Sequence, residues 1–445
     1  MIKTSSYPYS QNHNTSNRMQ MSTLVKIVHS FGFLLFAMMI VTPSAFQSPK
    51  AAILAILFIV ILLDMLIKKR RRLHPLIFRY FLFYILLGSI FGIYGYLREN
   101  VGVIPITKEV VLYVILYMIL IRGIVDYASV KYMHKTLVIS IVLLSLYIIT
   151  SILNAYGIWP DWLYYNLQTE TSNEDISVDT LHFYGRISTS FDSFPSLLFL
   201  QPYLFTYLVS SSQKKSKPMW ALFVILTIIM IFVGRRILLI TAIFAPIIII
   251  LTLNGIRTED SRKVRNWKSL IFFSFLAMFG LAFILIQISG ISVQATIEDF
   301  LYSFQPIQVN ASGNYVSNPR LDTIYHLFNG WKESPLIGFG SGATHPNYYR
   351  NKYEPWNYEV LYMQFLYSWG ILGCTLYGMG ILFITNKLLL IYKECSSYSS
   401  FAISALFGML AFLVGSFTNP YLLKFDMLYT IFLPIAIINV RYLRK

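Results

Sequence analysis

Residues 51–97 read AAILAILFIVILLDMLIKKRRRLHPLIFRYFLFYILLGSIFGIYGYL. Two apolar runs, 51–67 and 76–97, flank the five consecutive cations Lys68 to Arg72. A run of this length, wound as a helix, matches the roughly 30 Å hydrocarbon layer of a bilayer. Neither run has the regular polar face that a helix on a soluble protein needs. The cation block between them marks one side of a membrane, the cytoplasmic side by the positive-inside rule. This unit of apolar run, charged joint and apolar run recurs along the chain and decides its class.

The composition agrees. Of 445 residues 56% are hydrophobic and only 13% charged, with mean hydropathy +0.59. That charge is too sparse to coat a soluble protein of this size. A net charge of +16 raises the possibility of nucleic acid. The cations, however, fall in short joints on alternate sides of the runs, so they read as topology signals and no nucleic-acid partner is expected. The two cysteines, Cys374 and Cys395, have no metal-ligand spacing, so neither a disulfide nor a metal site is expected. No cofactor is implied.

The expected fold is an all-α polytopic membrane protein with about 12 transmembrane helices. Residues 1–23 form a polar, disordered cytoplasmic tail, and the first apolar run is expected to be retained. Nine spans occupy 24–289, at 24–43, 51–67, 76–97, 109–125, 136–155, 195–211, 218–233, 237–253 and 269–289. An acidic outer loop covers 156–194 and a large outer loop covers 290–359. Spans at 360–385, 400–417 and 427–440, with a short cytoplasmic C-terminus, complete 360–445. This path puts 25 of the 36 Lys and Arg residues inside with only 5 of the 20 Asp and Glu residues. Both termini are therefore expected in the cytoplasm, and any chemistry on the outer face.

Because most basic charge lies inside, the outer Arg186, Arg235, Arg236 and Arg320 stand out as candidate phosphate ligands. Arginine's planar fork matches phosphate oxygens and stays charged when partly buried. Asn318-Pro319-Arg320 reads as a helix N-cap, a proline at the first helical position, then helix. Leu321, Ile324, Tyr325 and Phe328 supply an apolar stripe for that helix. Arg320 in the first turn would reinforce the anion preference of a helix start; the bland alternative is a salt bridge to Asp322, Asp299 or Glu298. Arg186, before the sixth span, could equally snorkel to headgroups. Arg235 and Arg236 interrupt an apolar hairpin, and adjacent cations at membrane depth need a partner or a purpose; otherwise they cap two short spans. His345, after the glycine-rich turn of Gly338, Gly340 and Gly342, is a candidate base on a sugar hydroxyl. Glu359 is the rival base, or simply a carboxylate favoured at a helix start. Tyr348, Tyr349, Tyr353, Trp356 and Tyr358 could stack on sugars or form an interfacial aromatic belt.

At these residues the chain resembles the Wzy-type O-antigen polymerase family, related to the O-antigen ligases. The resemblance covers roughly 180–375. It rests on Gly185-Arg186 with Ser190-Phe191 and Pro195, on Arg235-Arg236 at a helix break, on Arg320 to Trp331 leading into SPLIGFGSG, and on EVLYMQFLYSWGILG at 359–373. It implies a metal-independent glycosyltransferase in the bacterial cytoplasmic (inner) membrane. Such an enzyme moves a growing glycan from undecaprenyl pyrophosphate onto a lipid-linked repeat unit, with arginines holding the pyrophosphates. The implied partners are the undecaprenyl-pyrophosphate-linked donor and acceptor, membrane lipid, a chain-length regulator and a flippase. O-antigen, capsule and exopolysaccharide all stay open as products.

One departure concerns the base. Many relatives, ligases above all, carry a His-Asn pair before the last glycine-bearing helix. Here that position reads Pro355-Trp356-Asn357-Tyr358-Glu359, and His345 lies twelve residues before Asn357. The competing readings are an O-antigen ligase, a lipid-linked oligosaccharide flippase, and a non-enzymatic receptor or assembly partner. A flippase should show two similar halves and short outer joints, which this chain lacks.

Overall fold

With no water in a hydrocarbon layer to satisfy backbone groups, apolar runs of this length must satisfy them internally, and helices do so. The computed structural model of the chain describes residues 23–43, 45–68, 73–155, 160, 181–183, 186–188, 193–211, 217–232, 235–255, 307–309, 315–394, 397–417 and 419–444. The helices are α1 (Thr23–Val41), α2 (Gln47–Lys68), α3 (Pro75–Leu97), α4 (Val103–Ile121), α5 (Tyr127–Ala155), α6 (Phe194–Ser210), α7 (Lys217–Phe232), α8 (Arg236–Gly255), α9 (Pro319–Trp331), α10 (Leu361–Lys393), α11 (Ser399–Gly415) and α12 (Tyr429–Leu443). Among the described residues, strand is confined to two short antiparallel pairs, Leu181–Phe183 with Arg186–Ser188 and Ile307–Val309 with Tyr315–Ser317. The expected run at 269–289 lies outside the described residues.

Among the described residues, four helices are long and apolar enough to cross a membrane: Pro75–Leu97, Val103–Ile121, Tyr127–Ser151 and Leu361–Lys393. Six further apolar helices are shorter. Along α3, Leu82, Leu86, Ile90 and Ile93 are exposed on one face. A continuous apolar face of this kind suits contact with lipid rather than water. The molecule is thus a predominantly helical, membrane-embedded protein.

Three expected boundaries move, each for a local reason. The joint expected around Lys131 and Lys135 is helical, because Asp126 caps α5 through the backbone N–H of Ser129 at 2.8 Å. α4 begins earlier than expected, at Val103, and carries a π-helical turn over Lys108–Leu112. α10 runs beyond 385 to Lys393, and Lys387 holds its ammonium 5.6 Å from the Phe383 ring and 5.4 Å from the Tyr442 ring.

The core centres on α6, which packs most extensively against α11. Its residues Phe194 to Thr206 are buried all round, as expected for a helix without a polar face. Small residues on α11 make the approach close: Gly408 lies against Phe199 and Gly415 against Leu198. Near one end, Lys50 of α2 forms a buried ion pair with Asp426 at 2.8 Å and donates to the Pro43 carbonyl at 2.7 Å. That contact ties the α1–α2 joint to the turn before α12.

The glycine-rich stretch after α9 is a structural strap. Residues 335–341 dock beside a break in α10 at Gly370, where φ is 62° and ψ is −171°. Backbone bonds join Phe339 to Tyr367 at 3.1 Å, Gly340 to Ser368 at 2.7 Å, Ile371 to Pro335 at 2.9 Å and Leu372 to Leu336 at 2.9 Å. The strap continues against the end of α3, where Ser341 donates to the Phe91 carbonyl at 3.0 Å. A side chain on Gly370 would collide with the Leu336 carbonyl, and one on Gly342 with the backbone of Gly102. Both positions also have positive φ, so glycine alone fits them without strain.

Candidate functional site

Asn318 forms the expected cap, its side-chain oxygen accepting from the Arg320 N–H at 3.1 Å. Pro319 opens α9 behind it. Arg320 therefore projects from the first helical turn, and its side chain is about half exposed. Its Nε donates to Glu359 at 3.2 Å. This is not one of the expected partners: Asp299 and Glu298 lie outside the described residues, and the ion pair that the structure describes is with Glu359.

Glu359 precedes α10, whose N-cap is Val360. It is therefore not a first-turn carboxylate. Its second oxygen takes Arg350 at 2.6 Å, so one carboxylate sits between two guanidinium groups. Arg350, in NYYRNKY, carried no distinguishing motif. The available signal was its position as a cation on the loop expected to lie outside.

Arg235 joins this group from a distant part of the chain. It stands at the break before α8, where its carbonyl accepts from Leu238 and Leu239. Its guanidinium lies over the Phe194 ring at 5.4 Å and reaches the Tyr421 hydroxyl at 3.4 Å. Tyr421 lies in the turn between α11 and α12 and links the elements electrostatically. Burial raises its phenol above the usual range, while Arg235 and Arg320 pull it down and Glu359 pushes it up. Arg235, Arg320 and Glu359 are therefore all within electrostatic reach of one hydroxyl. Tyr421 escaped sequence reasoning because a tyrosine in a short joint has no pattern.

The side chains of Arg186 and Arg236 lie outside the described residues. Arg186 falls on the second strand of the first pair, opposite Phe183, and Arg236 opens α8.

His345 is placed differently. Its backbone N–H donates to the Tyr358 hydroxyl at 2.8 Å. The imidazole instead rests against α9, 5.4 Å from the His326 ring and in contact with Gly330. Tyr348 stacks on His326 at 4.6 Å and shares a hydrogen bond with Thr323 at 2.8 Å. Burial lowers the His345 proton affinity, the His326 charge adds to this, and Glu333 opposes it.

A lowered folded value means that the unfolded chain binds more protons in the range below about 6.5. The stability contributed by neutral His345 is present above that pH and lost as pH falls through the folded value. Thermal unfolding measured between about pH 8 and about pH 5 should show this loss. His345→Gln should flatten the dependence, and an unchanged slope in that variant would assign the effect elsewhere.

The packing bears on two expectations for this region. The stripe expected on α9 is present, with Leu321, Tyr325 and Phe328 exposed and Ile324 half-buried. The face that packs is Thr323, Leu327 and Gly330, because glycine and threonine admit the His345 and Tyr348 rings closely. The aromatic set also divides. Tyr358 is fully buried, Trp356 covers Gly102, and Tyr348 is held by His326 and Thr323. Tyr349 and Tyr353 are exposed and available to a ligand.

The arrangement has the chemistry that an anion would use. Three arginines from separate elements converge around one carboxylate and one phenol at the ends of apolar helices. A partly exposed arginine–carboxylate pair is worth only about 0–1 kcal/mol, so a more highly charged anion can displace Glu359 at small cost. No protein-family model matches the chain, and no curated protein matches it.

Proposed function

We propose that the chain is a polysaccharide polymerase, a glycosyltransferase that moves a growing glycan from undecaprenyl pyrophosphate onto a lipid-linked repeat unit. In this reading it crosses a bacterial cytoplasmic membrane twelve times with both termini in the cytoplasm, and the site opens at the outer face. The convergence of Arg235, Arg320 and Arg350 on Glu359 and Tyr421 supports it most strongly. Such a cluster beside apolar helices suits a diphosphate carried on a lipid, which must stay at the membrane surface while its charge is neutralised.

Glu359 occupies the arginines in the free protein. A diphosphate displaces it and takes the guanidinium groups. The acceptor hydroxyl then attacks the anomeric carbon of the donor. The bond from that carbon to the phosphate oxygen breaks, and the pyrophosphate leaves with the electron pair. The arginines neutralise the charge that grows on it. The released Glu359 carboxylate accepts the hydroxyl proton. His345, turned toward His326, is assigned to shaping the outer segment. Arg186 and Arg236 are retained as further pyrophosphate ligands on the strength of the sequence. A flippase would supply the substrate and a chain-length regulator would set its final size.

The test is reconstitution of the full chain in vesicles with an undecaprenyl-pyrophosphate-linked repeat unit, with products separated on a gel. The expected result is a ladder of lipid-linked glycans with release of undecaprenyl pyrophosphate. Movement of the lipid across the bilayer without chain growth would support a flippase and overturn this reading. Transfer confined to a lipid A-core acceptor would overturn it in favour of a ligase.

A further inference from the structure

Leu321, Tyr325 and Phe328 follow one another at helical spacing along α9 and are all exposed, Tyr325 at 66%. The opposite face of the same helix is packed, so this apolar edge is surplus to holding the fold. It does not end with the helix. The Phe328 ring touches Trp331 at 5.3 Å, and the Trp331 indole N–H donates to the Pro335 carbonyl at 3.1 Å. Next come Leu336, 68% exposed, and Ile337, also exposed. The carbonyls of Pro335 and Leu336 accept from Ile371 and Leu372 of α10.

Ile371 and Leu372 are themselves exposed, and the face continues down α10 through Met379 and Leu382. α10 is among the helices long and apolar enough to cross a membrane. The apolar edge of the outer segment is therefore an unbroken extension of a lipid-facing surface. Its rim has the chemistry of an interface. Tyr325 and Trp331 are amphipathic rings of the kind that gather at headgroup level. Lys332 holds its ammonium 4.8 Å from the Phe328 ring, placing a cation where anionic headgroups would meet it.

We infer that α9 and residues 335–337 lie in the lipid–water interface of the bilayer, with the edge formed by Tyr325, Phe328 and Leu336 immersed among acyl chains and headgroups. The outer segment is then a monotopic wedge that α10 holds at a fixed depth through the strap. Arg320, on the first turn of that helix, is carried at the level of headgroup phosphates. The inference does not depend on the proposed activity.

Depth-dependent quenching in the full chain tests it. With Cys374→Ser and Cys395→Ser as background, Tyr325→Cys, Phe328→Cys, Leu336→Cys and Tyr353→Cys each carry an environment-sensitive fluorophore. The proteins are placed in phosphatidylethanolamine–phosphatidylglycerol vesicles. All four sites are exposed, so the changes leave the packed face of Thr323, Leu327 and Gly330 intact, and Tyr353, 83% exposed, serves as the aqueous reference. The three edge positions should be blue-shifted relative to Tyr353→Cys, quenched strongly by lipids with a shallow nitroxide and weakly by iodide. Iodide quenching equal to that at Tyr353→Cys would place the edge in water and overturn the inference. Resistance to both quenchers would also overturn it, showing the edge covered by protein, whether a second copy or another segment of this chain.

Discussion

Arg235→Ala is expected to reduce glycan transfer about 10²–10³-fold, the usual cost of removing one preorganised donor to developing charge. Arg235 is half-buried, stacked over Phe194 and directed at Tyr421. Its guanidinium is therefore held where a leaving pyrophosphate would be stabilised, rather than ordered only when substrate arrives. Arg235→Lys should recover part of the loss, since an ammonium keeps the charge but not the planar fork. The measurement is turnover per folded protein in the vesicle assay, alongside the unfolding temperature of each variant. Equal loss in alanine and lysine variants with a lowered unfolding temperature would assign Arg235 to packing. Wild-type turnover in both would remove it from the site. Arg320→Ala should act in the same direction, and its half-exposed side chain makes a folding defect a poor explanation.

Asp426→Ala should destabilise the chain by about 3–5 kcal/mol, the cost of leaving one member of a buried ion pair without its counter-charge. Lys50 is only 4% exposed and Asp426 only 7%, so water cannot replace the lost carboxylate. The ammonium also donates to the carbonyls of Thr42 and Pro43 that end α1. Losing the pair should therefore loosen the α1–α2 joint together with the turn that carries Tyr421. Lys50→Met combined with Asp426→Leu should restore most of the stability, because apolar replacement of both members of a buried pair is often near neutral. Thermal unfolding of the detergent-solubilised chain decides between these outcomes. An Asp426→Ala variant as stable as the parent, or a double variant as unstable as the single one, would show that the pair does not hold the joint.

Much of the architecture was legible because a bilayer imposes one-dimensional rules. Apolar length and the helix obligation act on consecutive residues, so the run at 76–97 could be read directly and appears as α3. The α9 start was legible for the same reason: Asn318, Pro319 and Arg320 interact within one turn. The apolar stripe of α9 was legible too, but periodicity reports a face and not what that face meets. Leu321, Tyr325 and Phe328 form a real stripe, yet the neighbours that choose the packed face, His345 and Tyr348, arrive from a later loop.

The candidate site shows the same division. The arginines at 235 and 320 and the carboxylate at 359 were recognisable one by one, from residue type and from their expected place outside the main cation blocks. Their convergence, and the entry of Arg350 and Tyr421, depended on α6 and α11 packing closely enough to bring the break before α8 beside the turn before α12. The strap of 335–341 completed it by setting α9 against α10. Side-chain type and local spacing are properties of the chain; which of two bases meets an arginine depends on contacts between segments far apart along it. For that reason Glu359, not His345, came to lie between the guanidinium groups.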